Sequence, residues 1–277
     1  MDQPITTGVI TTPSLQRAFG EVDLVIEKGC LRRCFQSGSA KIFLPKTYSP
    51  SKEAVLVNTA GGLAEGDTFT SRLQASGQTD LTVTSQAAER VYGATGTSVA
   101  HLNVDITITN GASLHWLPQE TILFDSGRLA RNLTVQMDQS SSLLASEITV
   151  FGRKAMNETV KCGFLSDQWR IYRQDRLIHA EAVWLDGPIA EKLADCATAA
   201  DMSCLATILW VAEGVEQHAR STRAYFDTTP TVHAAISAWD GKLVIRCLAD
   251  AAKEIKAALS GCLYLLRGFD VPRVWNV

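Results

Sequence analysis

The feature that most constrains this chain is a hydrophobic period of two, which runs through its middle part. Between residues 51 and 187 a single proline, Pro118, interrupts the sequence. The clearest instance is the segment 101–109, in which polar residues alternate with Leu102, Val104, Ile106 and Ile108. Because successive side chains of a strand point to opposite faces, this pattern predicts a strand with one face on a core.

Further strands are predicted by similar patterns at 69–73, 81–85, 133–137, 143–151, 169–173 and 181–185. Polar turns such as SGQTD and DQSSS separate several of them. A long series of strands with short turns and no helical pattern between them favours an antiparallel sandwich, a barrel or a β-solenoid over a fold built from βαβ units. No exact sequence repeat singles out the solenoid.

The dipeptide Asn110-Gly111 follows the clearest strand. This pair favours the positive φ angles of a type I′ turn. We therefore expect residues 112–117 to return as the antiparallel partner of 101–109.

After Pro188 the pattern changes and alanine becomes frequent. The predicted elements are a short helix near 189–199, a buried strand at 204–212, a helix at about 215–224, a hairpin around Asp240-Gly241 and a helix at 250–267. Asp250 is the expected N-terminal cap of the last helix, and Gly268 is expected to end it.

The length of 277 residues suits either one large β domain or two smaller ones. With 46% hydrophobic residues the chain can bury a sizeable core. No Gly/Ser-rich or charged spacer lies near 188. We therefore expect one mainly β domain over 1–277, β-rich at 16–187, with the α+β portion at 188–277 packed on it.

Charge and composition exclude several classes of partner. The formal net charge is -3 and no basic run resembles a nucleic-acid footprint. No apolar stretch is long enough for a membrane span, and the N-terminus lacks a signal-peptide pattern.

The seven cysteines are odd in number and scattered, which predicts a reducing, cytoplasmic location. Cys30 and Cys34 alone are close enough to suggest a ligand pair, and the interpretation we prefer is that most cysteines are small buried apolar residues.

The glycine-rich segment GGLAEGD, residues 61–67, invites a phosphate-binding interpretation. A P-loop needs Lys-Ser/Thr after its last glycine and then a helix, whereas here a strand pattern follows Asp67. The segment is more typical of a tight loop in which Glu65 and Asp67 are solvated turn residues.

Four carboxylates lie on or beside predicted strands: Glu120, Asp125, Glu147 and Glu181. A buried acid needs a partner, because an isolated ionised carboxylate is costly to desolvate. Ordinary ion pairs would satisfy this need, and candidate partners are Arg153, Arg170 and Arg173. The alternative is a polar path that passes a cation between carboxylates.

Hydrolase motifs are missing from the sequence. It contains no G-x-S-x-G or H-E-x-x-H motif, and its five histidines are isolated. Two well-placed carboxylates would make a β-helical hydrolase, but sequence does not give their separation. From the residues alone, a β-rich interaction module is the leading hypothesis and such a hydrolase is the alternative.

Read in order, six blocks resemble the urease accessory protein family UreD, also called UreH, and cover the chain from about residue 16. They are GGLAEGD (61–67), TSQAAERVYGA (84–94), LHWLPQETILFDSGRL (114–129), LLASEITVFGRKAMNE (143–158), RLIHAEAVWLDGP (176–188) and PRVW (272–275).

The resemblance implies a non-enzymatic scaffold, or metallochaperone, with an irregular β-helix and two helices toward its C-terminal end. It further implies binding to UreF, which recruits the GTPase UreG, and docking of the assembly on urease apoprotein to install nickel. No tightly bound cofactor is expected, because nickel is in transit. The missing P-loop agrees with GTP hydrolysis by UreG. The surface for UreF is open, with PRVWNV and the helix at 250–267 as candidates.

Members of the family are thought to carry nickel through an internal tunnel. Matched residue by residue, the motifs place Asp67, Glu147 and Glu181 on that path. This chain departs from the usual motif at Glu65, where glycine is common, and at Thr68, where some members carry an acid. Oxygen ligands in a hydrated channel bind nickel weakly enough to release it, which is consistent with the lack of a strong metal motif.

Overall fold

The computed structural model describes residues 17–153, 156 and 158–276, and within these ranges the strands form two sheets. The first sheet consists of β1 (Phe19–Glu27), β2 (Cys30–Gly38), β5 (Thr68–Ser76), β8 (Ala100–Thr109), β11 (Arg128–Met137), β13 (Gly163–Arg173) and β14 (Arg176–Gly187). The second consists of β3 (Ala40–Phe43), β4 (Lys52–Asn58), β6 (Asp80–Ser85), β7 (Glu89–Val91), β9 (Ser113–Trp116), β10 (Thr121–Leu123), β12 (Ser142–Phe151), β15 (Cys204–Val211), β16 (Val232–Trp239) and β17 (Lys242–Ala249).

The described residues form three α-helices, all in the C-terminal third: α1 (Ile189–Ala194), α2 (Ala219–Asp227) and α3 (Ala252–Arg267). Short 3-10 turns lie at Val215–His218 and Arg273–Asn276. No helix in the described part of the chain is long and apolar enough to cross a membrane.

The chain winds as a β-solenoid whose coils contribute strands to both sheets. From β5 to β13 it crosses repeatedly from one sheet to the other, and strands of successive coils pair in parallel: β1, β5, β8, β11 and β13 in the first sheet, and β4, β6, β9 and β12 in the second. Antiparallel pairs flank these parallel blocks. The predicted fold class is confirmed: the structure is mainly β, resembles a β-helix, and has a few α-helices in the C-terminal third.

The antiparallel return expected after Asn110-Gly111 is wrong. Both residues have positive φ, 57° and 73°, as expected. However, β8 and β9 lie in different sheets, each between parallel neighbours. The backbone N–H groups of the turn donate to Asp138 Oδ2 (2.6 Å) and Ser140 Oγ (3.0 Å). Because these acceptors lie in the corresponding turn of the next coil, the dipeptide forms a stacked corner of the solenoid instead of a hairpin.

Strand β12 is the centre of a three-layer arrangement. Its residues Leu143 and Ala145 face the core between the two sheets, while Leu144 and Ile148 face a second core beneath the helices. Alternate side chains point to opposite faces, so Glu147 shares the face of Ala145 and points toward the first sheet.

The C-terminal predictions hold with two corrections. β16 and β17 form the antiparallel hairpin around Asp240-Gly241, and α3 buries Ile255, Leu259 and Leu263 as expected. Gly268 ends α3 with φ 75°. The predicted cap is wrong, because Ala251 occupies the N-cap position and Asp250 lies one residue too early. α1 ends at Ala194 instead of near 199, and turns follow it.

Candidate functional site

A buried arginine lies between the two sheets. All five N–H groups of Arg131, which is 3% exposed, donate hydrogen bonds to oxygen atoms of four side chains. Asp167 accepts two at 3.1 and 2.6 Å, Glu147 accepts one at 2.6 Å, and Thr121 and Thr149 accept one each at 3.1 and 3.2 Å. We call these five residues the Arg131 cluster.

Strand register brings the cluster together. Arg131 on β11 is aligned with Asp167 on the parallel neighbour β13. Thr149 and Glu147 are two residues apart on β12, so they share a face, and Thr121 on β10 is paired with Thr149. The two sheets therefore meet at a polar contact in an otherwise apolar core.

The carboxylate oxygens of the cluster have little capacity to accept further hydrogen bonds. Glu147 Oε1 accepts from Trp116 Nε1 at 2.7 Å, and its other oxygen accepts from Arg131. Burial raises the pKa of Glu147, and the charge of Arg131 opposes this rise. Burial by itself would lower the pKa of Arg131, but the attraction of Asp167 and Glu147 outweighs it, so the guanidinium stays charged.

Two cavities lie on either side of this contact. The first, of about 230 Å³, is lined by residues that include Asn58, Glu89, Trp116, Gln119, Arg131 and Glu147. The second, of about 30 Å³, is lined by residues that include Arg131, Glu147, Asp167, Trp169, Glu181 and Thr207. Since both cavities share Arg131 and Glu147, these two side chains form the wall between them.

Glu181 occupies the far side of the second cavity. Arg246 Nε and Nη2 donate to its two oxygens at 3.2 and 2.5 Å, and His179 Nε2 lies 3.6 Å from Oε2. Burial raises the pKa of Glu181, but the nearby His179 ring and the hydrogen bonds from Arg246 outweigh burial and bring that pKa below its usual value. The Arg246 side chain is 52% exposed, so solvent reaches this ion pair.

Asp67 has a different environment. It is 4% exposed, and its oxygens accept the backbone N–H groups of Ala18 (2.6 Å) and Ala64 (2.8 Å). Glu65 accepts from Gly96 N–H at 2.8 Å and from Arg17 at 3.1 Å. The interpretation of both acids as solvated turn residues is therefore wrong, because each carboxylate fixes loop backbone.

The structure thus brings two of the three matched acids together. Glu147 and Glu181 line the same small cavity, whereas Asp67 is not among the residues that line either of the two. The assignment of all three to a nickel path stays a prediction.

The expected ion pairs are formed with other partners. Glu147 pairs with Arg131 and not with Arg153, which pairs with Glu158. Glu120 lies 3.4 Å from Lys256. Asp125 accepts the backbone N–H groups of Lys161 and Cys162 at 2.7 and 3.1 Å. Arg170 donates to backbone carbonyls and to Gln168.

Sequence reasoning missed Arg131 and Asp167. The strands predicted at 133–137 and 169–173 begin after these residues, whereas β11 and β13 include them. A signal is present: Arg131 continues the inward series of Leu133 and Val135 at a spacing of two. A charged residue in such a series indicates a buried ion pair.

A strong resident metal centre is not evident. Among the described residues no group of three or more His, Cys, Asp or Glu side chains is arranged to hold a metal ion. All seven cysteines are free thiols, and both Cys30 and Cys34 are exposed on β2. The interpretation that most cysteines are buried is wrong, because four are exposed and only Cys204, Cys247 and Cys262 are buried. Glu147 and Asp167, whose carboxylate oxygens converge on one guanidinium, are the acids best placed to bind a cation.

The terminal block PRVW is mostly internal. Trp275 is 4% exposed, and its indole N–H donates to Thr84 Oγ1 at 3.2 Å and to the Leu117 carbonyl at 3.1 Å. Gln119 donates to the Val274 carbonyl at 2.5 Å. The Trp275 side chain is therefore held within the fold by its burial and its two hydrogen bonds.

Comparison with known proteins gives a consistent result. The family model described as UreD urease accessory protein matches residues 16–276. The urease accessory protein UreD of Rhizobium leguminosarum bv. trifolii (strain WSM2304) is 41% identical over 251 residues, 89% of this chain and 89% of the relative. That of Rhizobium leguminosarum bv. viciae is 39% identical over 98% of this chain and 100% of the relative, and that of Agrobacterium fabrum (strain C58) is 40% identical over 95% and 92%. The chain belongs to the UreD family of urease accessory proteins.

Proposed function

We propose that this urease accessory protein acts in the cytoplasm as a scaffold that passes nickel toward urease, without catalysing a reaction itself. In this proposal it binds UreF, UreF recruits the GTPase UreG, and the assembly docks on urease apoprotein. Nickel is the cargo in transit, and no resident cofactor takes part. The partners come from the family resemblance, and one structural observation supports the path.

That observation is a line of acidic side chains and cavities between the two sheets. It runs from Glu89 in the wall of the first cavity, through Glu147 and Asp167, to Glu181 beside the second cavity. Carboxylate oxygens bind divalent cations, and a series of weak sites permits both entry and release. The line leads through the protein core, as a route for a cation requires.

Exposed apolar side chains near β1 to β3 are suited to a partner surface. β2 is an edge of the first sheet in the described part of the chain. The exposed residues of this region are Phe19, Leu31, Phe35, Phe43, Leu44 and Tyr48. Exposed apolar groups concentrated in one region mark interaction sites, and we assign this one to UreF.

The β-helical hydrolase is a weaker alternative. A carboxylate pair for hydrolysis needs an open cleft and groups able to accept or donate a proton. Glu147 and Asp167 lie between the sheets, and each of their four oxygens already accepts a hydrogen bond. A buried pair whose oxygens are all engaged in this way is poorly suited to proton transfer with a substrate.

Complementation of a host that lacks this gene tests the proposal. The intact chain is expected to restore urease activity and urease nickel content, and to retain UreF in a pull-down. Glu181→Ala is expected to retain UreF while lowering the nickel content of urease. Loss of UreF by this variant would indicate a structural role, and full urease activity without the chain would overturn the proposal.

A further inference from the structure

The five hydrogen bonds of Arg131 define a set of oxygen atoms that already surrounds a positive charge. Two oxygens come from Asp167, one from Glu147 and one each from Thr121 and Thr149. All four residues are at most 9% exposed. Carboxylate and hydroxyl oxygens around a buried cation resemble the ligand sets of hard divalent ions.

The two carboxylates of the cluster match a divalent cation in charge. Two carboxylates and one guanidinium leave a formal net charge of one negative unit in a buried position. A divalent ion in place of the guanidinium would bring the net charge to zero. Once the guanidinium has moved away, the two carboxylates would lack a counter-charge, and because uncompensated buried charge is costly, a divalent ion would be stabilised at this position.

Arg131 also has space to move into. It lines the first cavity of about 230 Å³, whose wall contains the Glu89 carboxyl group. On the other side, the second cavity of about 30 Å³ can hold a water molecule or an ion of similar size. A swing of the guanidinium toward the first cavity would therefore join the two cavities and leave the oxygens of the cluster free.

We propose that Glu147, Asp167, Thr121 and Thr149 form a divalent-cation site that Arg131 occupies as an internal plug. The site lies at the wall between the two cavities, and Arg131 must leave it before a cation can pass. The role of Arg131 as a gate rests on the proposed nickel path, whereas cation binding by the four ligands can be tested independently of that path. Arg131 is here a residue that controls access, and the four oxygen-bearing residues are the ligands.

Nickel binding by the purified full chain tests the site directly. Arg131→Gln removes the positive charge and retains a polar side chain. After equilibrium dialysis against Ni²⁺, we expect this variant to retain about one more nickel ion per chain than the wild type. The Kd for Ni²⁺ at this site should be at least about tenfold lower in the variant than in the wild type. Arg32→Gln is the matched control, because Arg32 pairs with Glu27 at the surface and should change nothing.

Two additional variants separate the site from other effects. Arg131→Gln combined with Glu147→Gln and Asp167→Asn removes the ligands and should abolish the additional nickel. Arg131→Ala removes the charged side chain and serves if Arg131→Gln does not fold, because it leaves the four ligand side chains in place without a positive charge among them. We expect Arg131→Ala to be stabilised against heat by Ni²⁺, unlike the wild type.

A folded Arg131→Gln or Arg131→Ala that binds no more nickel than the wild type would overturn the site. Urease activation by the same variants is a separate measurement. Nickel binding by Arg131→Gln with unchanged activation would retain the site and reject its role as a gate. Failure of the intact chain to support activation would instead reject the proposed function, whatever the dialysis result.

Discussion

Glu181 and Arg246 join the two sheets by a two-point ion pair. Glu181 belongs to β14 of the first sheet and Arg246 to β17 of the second, and their paired atoms lie 3.2 and 2.5 Å apart. The carboxylate borders the second cavity, whereas the Arg246 side chain is 52% exposed. The outer end of the proposed path is thus an acid held by a cation that solvent can reach.

Glu181→Gln should separate function from stability. Because the pair is partly exposed and screened by solvent, its loss is expected to change the free energy of unfolding by about 1 kcal/mol or less. Urease activation should nevertheless fall, since an amide is a poor ligand for a divalent cation. Urea unfolding and urease nickel content check the two effects, with Glu27→Gln as the control. A drop in activation that follows a large loss of stability would contradict this prediction.

Asp67→Ala should act mainly on stability. The carboxylate accepts two backbone N–H groups, from Ala18 and Ala64, and the alanine leaves both without this acceptor. The expected cost is about 1–3 kcal/mol in the free energy of unfolding. Asp67→Asn keeps one acceptor oxygen and should lie between the two proteins. Equal stability of Asp67→Ala and the wild type in urea would contradict this account.

The fold could be predicted from the sequence as far as local pattern determines it. The alternation at Leu102, Val104 and Ile106 predicts β8 correctly, and Asn110-Gly111 predicts the positive φ angles. What the pattern cannot give is the partner of β8, because a turn that suits a hairpin also suits the corner of a solenoid. Bonds from Asn110 and Gly111 to the next coil decide between them, and those contacts are long-range.

The candidate site, too, could be predicted only where the local sequence determines the structure. Glu147 was identifiable from its apolar neighbours, since a buried acid needs a partner. The identity of that partner depends on which strands face each other across the core, so Arg131 could not be chosen over Arg153. The role of Asp67 likewise depends on contacts with Ala18, a residue distant in the sequence.

Glu89 should make stability depend on pH. Burial raises its pKa from 4.5 to about 7, although a bond from Asn58 opposes this shift. The folded state therefore binds the proton more tightly, and the contribution of Glu89 to stability is lost as pH rises from about 4.5 through 7. Glu89→Gln lacks this titration, so its advantage over the wild type should grow between pH 5 and pH 8 by roughly 2 kcal/mol.

Urea unfolding of both proteins at several pH values measures this difference. Glu158 gives the opposite sign at lower pH: its bond with Arg153 lowers its pKa from 4.5, so its stabilising contribution is present above that value and is lost as pH falls below it. A constant difference between Glu89→Gln and the wild type from pH 5 to pH 8 would show that Glu89 is not protonated more readily in the folded state.

Trp275 should be the main anchor of the C-terminal segment. Trp275→Ala removes a buried ring and two hydrogen bonds, and its expected cost is about 3–5 kcal/mol in the free energy of unfolding. Trp184→Ala is a matched control, because Trp184 is 62% exposed and mainly contacts Phe164; its cost should be about 1 kcal/mol or less. If Trp275→Ala lost UreF at unchanged stability, the side chain would contact UreF directly. Loss of both together would mean that the segment supports the fold on which UreF binds.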